Sequence, residues 1–171
     1  MSSISIRRAE RPYERLGSHA HRTGRVYADF VIDGRPLSDV ARARGDLISC
    51  LGWGTRSGQD ATVAELFLER TSELVDGRVP LYVCPEDGDI HCGAITAVVE
   101  RNGSAVVWRQ FGYETGLDTD PPVLDQEGLD QLGPFEFLWN EYEAAIQAGY
   151  GIGGFLEENS NGGWMRKFLG Q

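Results

Sequence analysis

Two β-length segments between residues 92 and 113 carry apolar side chains at both odd and even positions, with Asn102-Gly103 between them. That dipeptide suits a type I′ turn, because both of its residues tolerate positive φ. A two-residue loop there sets Arg101 opposite Ser104, Val99 opposite Val106, Ala97 opposite Trp108 and Ile95 opposite Gln110. On the other face Val98 meets Val107 and Ala94 meets Phe111. A ladder that is apolar on both faces belongs inside a sheet, covered above and below. The 92–113 hairpin is the predicted core.

The flanking pattern supplies the other elements. Val26, Ala28, Phe30 and Ile32 alternate with Tyr27, Asp29 and Val31, a period of two that predicts a strand from Arg25 to the Asp33-Gly34 turn. A short helix is expected over 37–43 with Ser38 as its cap, then a strand over 47–53. Asp60 is the expected cap of a helix over 61–73, where Val63, Leu66, Phe67 and Leu74 share a face. A strand at 79–84 follows. Past the hairpin, residues 114–133 form an acidic stretch in which Pro121-Pro122 blocks regular structure. A brief strand at 135–137 and a helix at 141–148, capped by Asn140 and stopped by Gly149, close the body. Strands in runs with helices interspersed predict an α+β fold: a mostly antiparallel sheet built around the 92–113 hairpin, with two or three short helices.

Three regions result. Residues 1–25 lack apolar periodicity and carry six Arg against two Glu, so they read as a basic, flexible arm. Residues 26–149 form one α+β domain. Residues 150–171 are Gly-rich, but Phe155, Leu156, Trp164, Phe168 and Leu169 lead us to expect part of this tail to dock.

Composition narrows the class. At 171 residues and 41% apolar the chain can bury a core without staples. No apolar run approaches a membrane span, and no signal-peptide pattern is visible at the N-terminus. Three cysteines leave an odd thiol, which fits a reducing cytoplasm better than a disulfide framework. The net charge of −10 is unevenly spread: +4 over residues 1–25 and −14 beyond.

The densest chemistry lies in Cys84-Pro85-Glu86-Asp87-Gly88-Asp89-Ile90-His91-Cys92. Zinc takes four ligands in a tetrahedron, commonly a C-x₂-C knuckle plus a second pair. Here Asp87 holds the knuckle position, with Asp89 and His91 nearby. Neighbouring side chains of an extended chain diverge, so His91 and Cys92 do not both point inward readily. Cys84, Asp87, His91 and Cys92 are the candidate metal set. The competing expectation is a tight turn whose cysteines are small buried hydrophobes.

The stretch from Val79 through Cys84 and Cys92 to Trp108 and Phe111-Gly112-Tyr113 resembles a family of bacterial proteins. In these it commonly reads Y-V-C-P-x-C-G-D-x-x-C-G-A, followed by a hairpin ending in W-x-x-F. Gly133-Pro134-Phe135-x-Phe137 is similar too, and the resemblance spans residues 30–148. Asp87 stands where the pattern has its middle cysteine, so a site that needs all three thiols is broken here. Proteins of this kind are sometimes labelled oxidoreductases; no residues in this chain support that label.

Other chemistry is thin. Gly149-Tyr150-Gly151-Ile152-Gly153-Gly154 matches G-x-G-x-x-G, but a helix precedes it where a strand is required. The histidines are His19, His21 and His91, and no G-x-S-x-G elbow is present. Asp118-x-Asp120 begins like a calcium loop, and Pro121-Pro122 interrupts the ligand spacing. From Gln110 to Met165 there are eleven acids and no Lys or Arg. Such a flank predicts a non-catalytic, cytoplasmic binding protein of the inhibitor or immunity type, without a cofactor, facing a basic protein such as a toxin or nuclease. Nucleic acid is disfavoured there, since phosphates would be repelled, and is left only to the basic arm. Glu114, Asp118, Asp120, Asp125, Glu127 and Asp130 are the expected contacts, with Tyr113 and Trp139 as aromatic anchors. A small enzyme or zinc protein centred on the Cys84–Cys92 turn is the alternative.

Overall fold

The computed structural model describes residues 1–116 and 119–158. Its main sheet orders β10 (Val123–Asp125), β9 (Ala105–Gly116), β8 (Ala94–Asn102), β7 (Arg78–Val83) and β6 (Ile48–Ser49), all antiparallel, and β11 (Phe135–Leu138) shares the outer edge of β9. A second sheet orders β1 (Ile4–Arg11), β4 (Arg25–Ile32) and β5 (Arg35–Pro36); β2 (Glu14–Arg15) and β3 (His21–Arg22) form a small separate ribbon. The helices are α1 (Ser38–Ala41), α2 (Arg56–Leu66) and α3 (Trp139–Gly149). The fold is α+β. Among the described residues no helix is long and apolar enough to cross a membrane.

Trp108 of β9 is the hub of the core and is fully buried. Phe30 meets it edge-on at 5.2 Å and Phe137 at 5.5 Å. Its indole donates to the Tyr142 hydroxyl at 3.3 Å, and that hydroxyl donates to the Leu66 carbonyl at 2.9 Å. The polar tips of both rings are thereby satisfied inside the core.

The hairpin forms where expected but in another register. Asn102 pairs with Ala105 and Val99 with Trp108, so Gly103-Ser104 is the loop. Gly103 has φ +63°, while Asn102 keeps a negative φ. A type II′ turn needs positive φ only at its first central residue, and glycine supplies it there. A two-residue slip preserves which face each side chain occupies. Past Val98 a bulge at Gln110, φ +52°, shifts the pairing again, so that Ile95 meets Tyr113.

The largest departure lies before Arg25, where no regular structure is expected. Ile4–Arg11 pairs along its whole length with Arg25–Ile32, and Ile4 is buried. Several of its cations are paired, some across the fold and some locally: Arg7 to Asp29 at 2.8 Å, Arg11 to Asp46 at 2.6 Å and Arg22 to Glu14 at 2.8 Å. The charge sum of +4 hides this, because most of the matching acids lie outside the segment. Asp29, in the strand whose alternation the sequence shows, is fully buried and accepts from Arg7, Ser38 and Tyr82.

Helix boundaries also move. Thr55, not Asp60, caps α2 by accepting from the Gly58 amide at 3.0 Å, and Leu68 at φ +59° ends the helix early. Ser38 bonds Asp29 in place of capping α1, and Leu138 rather than Asn140 precedes α3. The acidic stretch 114–133 is not wholly irregular, since β9 runs on to Gly116 and β10 pairs with it.

The glycine motif at 149–154 has a packing role. A Cβ on Gly153 would fall on the Val26 carbonyl oxygen and lie 2.7 Å from the Gly52 carbonyl, whose oxygen accepts from the Gly153 amide at 2.8 Å. Gly153→Ala should therefore cost about 3 kcal/mol through forced overpacking, measured by urea unfolding. Of the apolar tail residues, Phe155 and Leu156 are described and 40% exposed; Trp164, Phe168 and Leu169 lie outside the described residues.

Candidate functional site

The Cys84–Cys92 turn is built by local hydrogen bonds. The Gly88 amide donates to the Cys84 carbonyl at 2.8 Å, with Gly88 at φ +69°. Asp87 accepts from the Asp89 amide at 2.8 Å, and Asp89 accepts from the His91 amide at 2.7 Å. These bonds wind Ile90–Cys92 into a 3₁₀ turn, and the buried Ile90 side chain pins it to the core. The chain reverses so tightly that Cys84, Asp87 and Cys92 each bring a ligand atom within 4.8 Å of the others.

Tetrahedral zinc with two thiolates and a carboxylate holds its ligand atoms roughly 3.5–3.8 Å apart, so this trio has to close by only about 1 Å. His91 and Asp89 are not part of the converging set. Cys84 is half-buried and Cys92 exposed, so neither is the small core hydrophobe that the competing expectation required. Cys50 is that residue, and burial pushes its thiol far above the usual range. Partial desolvation raises the Cys92 thiol as well, exposed though the residue is, and the adjacent Cys84 and Asp87 add to it.

The expected partner-binding residues fare differently. Glu114 is 4% exposed; it faces Arg78 at 3.4 Å beside the Thr96 hydroxyl, so the structure takes it out of the surface set. The β8–β9 ladder runs further than the sequence suggests and carries Glu114 inward with it. Asp125 pairs with Arg44 at 2.6 Å; the Glu127 amide and that guanidinium hold its carboxyl below the ordinary range. Tyr113 lies under Arg44 at 5.7 Å, and Trp139 under Arg101 at 3.7 Å, packed on Phe67. Both anchors are thus engaged within the chain. Asp120, Glu127 and Asp130 are exposed, and none makes an ion pair among the described residues. Asp118 lies outside the described residues.

No family model, curated protein or solved structure matches this chain.

Two features near the turn were not anticipated from sequence. Glu86, inside the turn, bonds Thr23 and Arg11. Partial burial works against its ionisation, but these partners prevail and hold it at about 2. Glu65 of α2 is 7% exposed and lines a small cavity with Cys50, Val83, Gly88 and Ile90, on the inner side of the turn. Burial pushes its carboxyl up to about 7.

A raised acid is a stability liability above its unfolded value. Glu65 costs nothing below the usual glutamate range; stability then falls as pH rises, until the folded carboxyl ionises near 7. The shift corresponds to about 3 kcal/mol. Glu65→Gln should match the wild type at pH 4 and exceed it by roughly that amount at pH 8, measured by urea unfolding at both values. A constant difference across that range would contradict the burial assigned to this carboxyl.

Proposed function

We propose that the protein binds a thiophilic divalent cation, zinc in the first instance, through Cys84, Asp87 and Cys92. The observation that carries this reading is the convergence of the three ligand atoms within 4.8 Å. Two soft thiolates with one carboxylate suit zinc better than calcium or magnesium, which prefer oxygen throughout. Three chain ligands leave a fourth position for water or an outside ligand, the arrangement of zinc sites that act on substrates rather than only brace a fold. Asp87, where the resembled pattern has its middle cysteine, offers a harder oxygen ligand in place of sulfur. Equilibration with zinc followed by desalting should leave about one equivalent bound. Retention of no zinc would remove the reading.

A second reading is favoured by the exposed carboxylates Asp120, Glu127 and Asp130. They fit a basic protein partner, of the kind an inhibitor or immunity protein engages. On that reading, polylysine binding falls with added salt and is weakened in the combined D120N, E127Q and D130N variant. Binding that survives the triple substitution would place the contact elsewhere.

A further inference from the structure

The ligand turn is gripped from outside by residues far away in the chain. Arg25 donates from Nε to the Pro85 carbonyl at 2.8 Å and from Nη2 to the Glu86 carbonyl at 2.9 Å. Pro85 and Glu86 are the two residues between Cys84 and Asp87, so these bonds fix the path from one ligand to the next. The Glu86 side chain accepts from the Thr23 amide at 3.1 Å, the Thr23 hydroxyl at 2.7 Å and Arg11 Nη1 at 2.8 Å. Arg11 is itself anchored, with its side chain 9% exposed, by Asp46 at 2.6 Å and the Thr23 carbonyl at 2.5 Å. Arg25 in turn lies over the buried Trp53 ring at 4.9 Å.

We propose that this clamp of Arg11, Thr23 and Arg25 on Pro85-Glu86 sets the metal affinity of the turn, and that metal binding in return tightens the segment around Thr23 onto the body. The inference rests on the metal-binding reading. A turn held in its ligand-bearing shape before the cation arrives is not charged the ordering cost at binding. A divalent cation with two thiolates and one carboxylate also carries a net negative charge, which a nearby guanidinium offsets. If the clamp raises metal affinity, the metal must strengthen the clamp by the same factor. Arg11, Thr23 and Arg25 are then positioning residues: none supplies a ligand atom, and all act through the backbone that carries the ligands.

The test measures zinc affinity by competition with a chromogenic chelator in the wild type, Arg25→Ala, Arg25→Lys and Glu86→Gln, with hydrogen exchange at the Thr23 amide followed with and without zinc. Arg25→Ala and Glu86→Gln should weaken zinc about 10- to 100-fold, the usual effect of removing a group that supports metal ligands. Arg25→Lys keeps the charge but not the two-pronged donor, and should recover only part of the loss. Zinc should slow exchange at Thr23 in the wild type and do so less in Glu86→Gln, a response that a purely structural clamp would not give. Glu86 has a side chain 43% exposed, so its variant keeps the test decisive should Arg25→Ala fail to fold. A wild type that binds zinc while Arg25→Ala and Glu86→Gln stay within about twofold and Thr23 exchange is unmoved overturns the clamp alone. A wild type that takes up no zinc removes the metal site, and this inference with it.

Discussion

Cys84→Ser and Cys92→Ser should each abolish stoichiometric zinc retention, with affinity falling at least about 100-fold, because losing a ligand exceeds the 10- to 100-fold cost of losing a ligand's support. A serine hydroxyl is a poor ligand for a borderline-soft cation, and among the described residues no fourth chain ligand joins the trio to take its place. His91→Ala should leave zinc binding unchanged, since His91 lies outside the converging set. Asp87→Cys should tighten binding by replacing a hard oxygen with a third thiolate at a position the backbone already directs inward. Chelator competition on the four variants reads all of this in one assay. Equal affinity in Cys84→Ser and the wild type would place the metal elsewhere.

The second large effect concerns Arg78 and Glu114. Both side chains are nearly inaccessible, 6% and 5% exposed, and Arg78 also donates to the Thr96 hydroxyl at 2.9 Å and the Thr96 carbonyl at 3.1 Å. Burial draws the Arg78 guanidinium down, and Glu114 opposes it. Removing one member of a buried pair leaves the other charged and dry, so Arg78→Met should cost about 3–5 kcal/mol. The double variant with Glu114→Gln removes both charges and should recover most of that loss. Urea unfolding at pH 7 distinguishes the cases. A single variant within about 1 kcal/mol of wild type would show that Glu114 reaches water and could still serve a partner.

What sequence could show depended on how far apart the interacting residues lie. The 92–113 hairpin announced itself because its apolar positions and turn residues are contiguous, and its register slipped where Gly103 selected a II′ turn and again at the Gln110 bulge. The converging trio was legible for the same reason: Cys84, Asp87 and Cys92 fall within nine residues, although sequence kept His91 in the set because neighbour divergence did not say which of His91 and Cys92 turns inward. β1 was invisible because Arg7 answers an acid 22 residues away and Arg11 one 75 residues away. The acidic flank misled in a similar way. A run without Lys or Arg between 110 and 165 says nothing of Arg44 and Arg78, which arrive from elsewhere in the chain.

The most direct test replaces zinc with cobalt(II), whose thiolate bonds give a charge-transfer absorption in the near ultraviolet. Titrated into the reduced wild-type protein, cobalt should raise that band to saturation at about one equivalent, and zinc, whose filled d shell loses nothing on becoming tetrahedral, should then bleach it. Absence of the band, or a band that persists undiminished in the Cys84→Ser and Cys92→Ser variants, would contradict a metal centre at this turn.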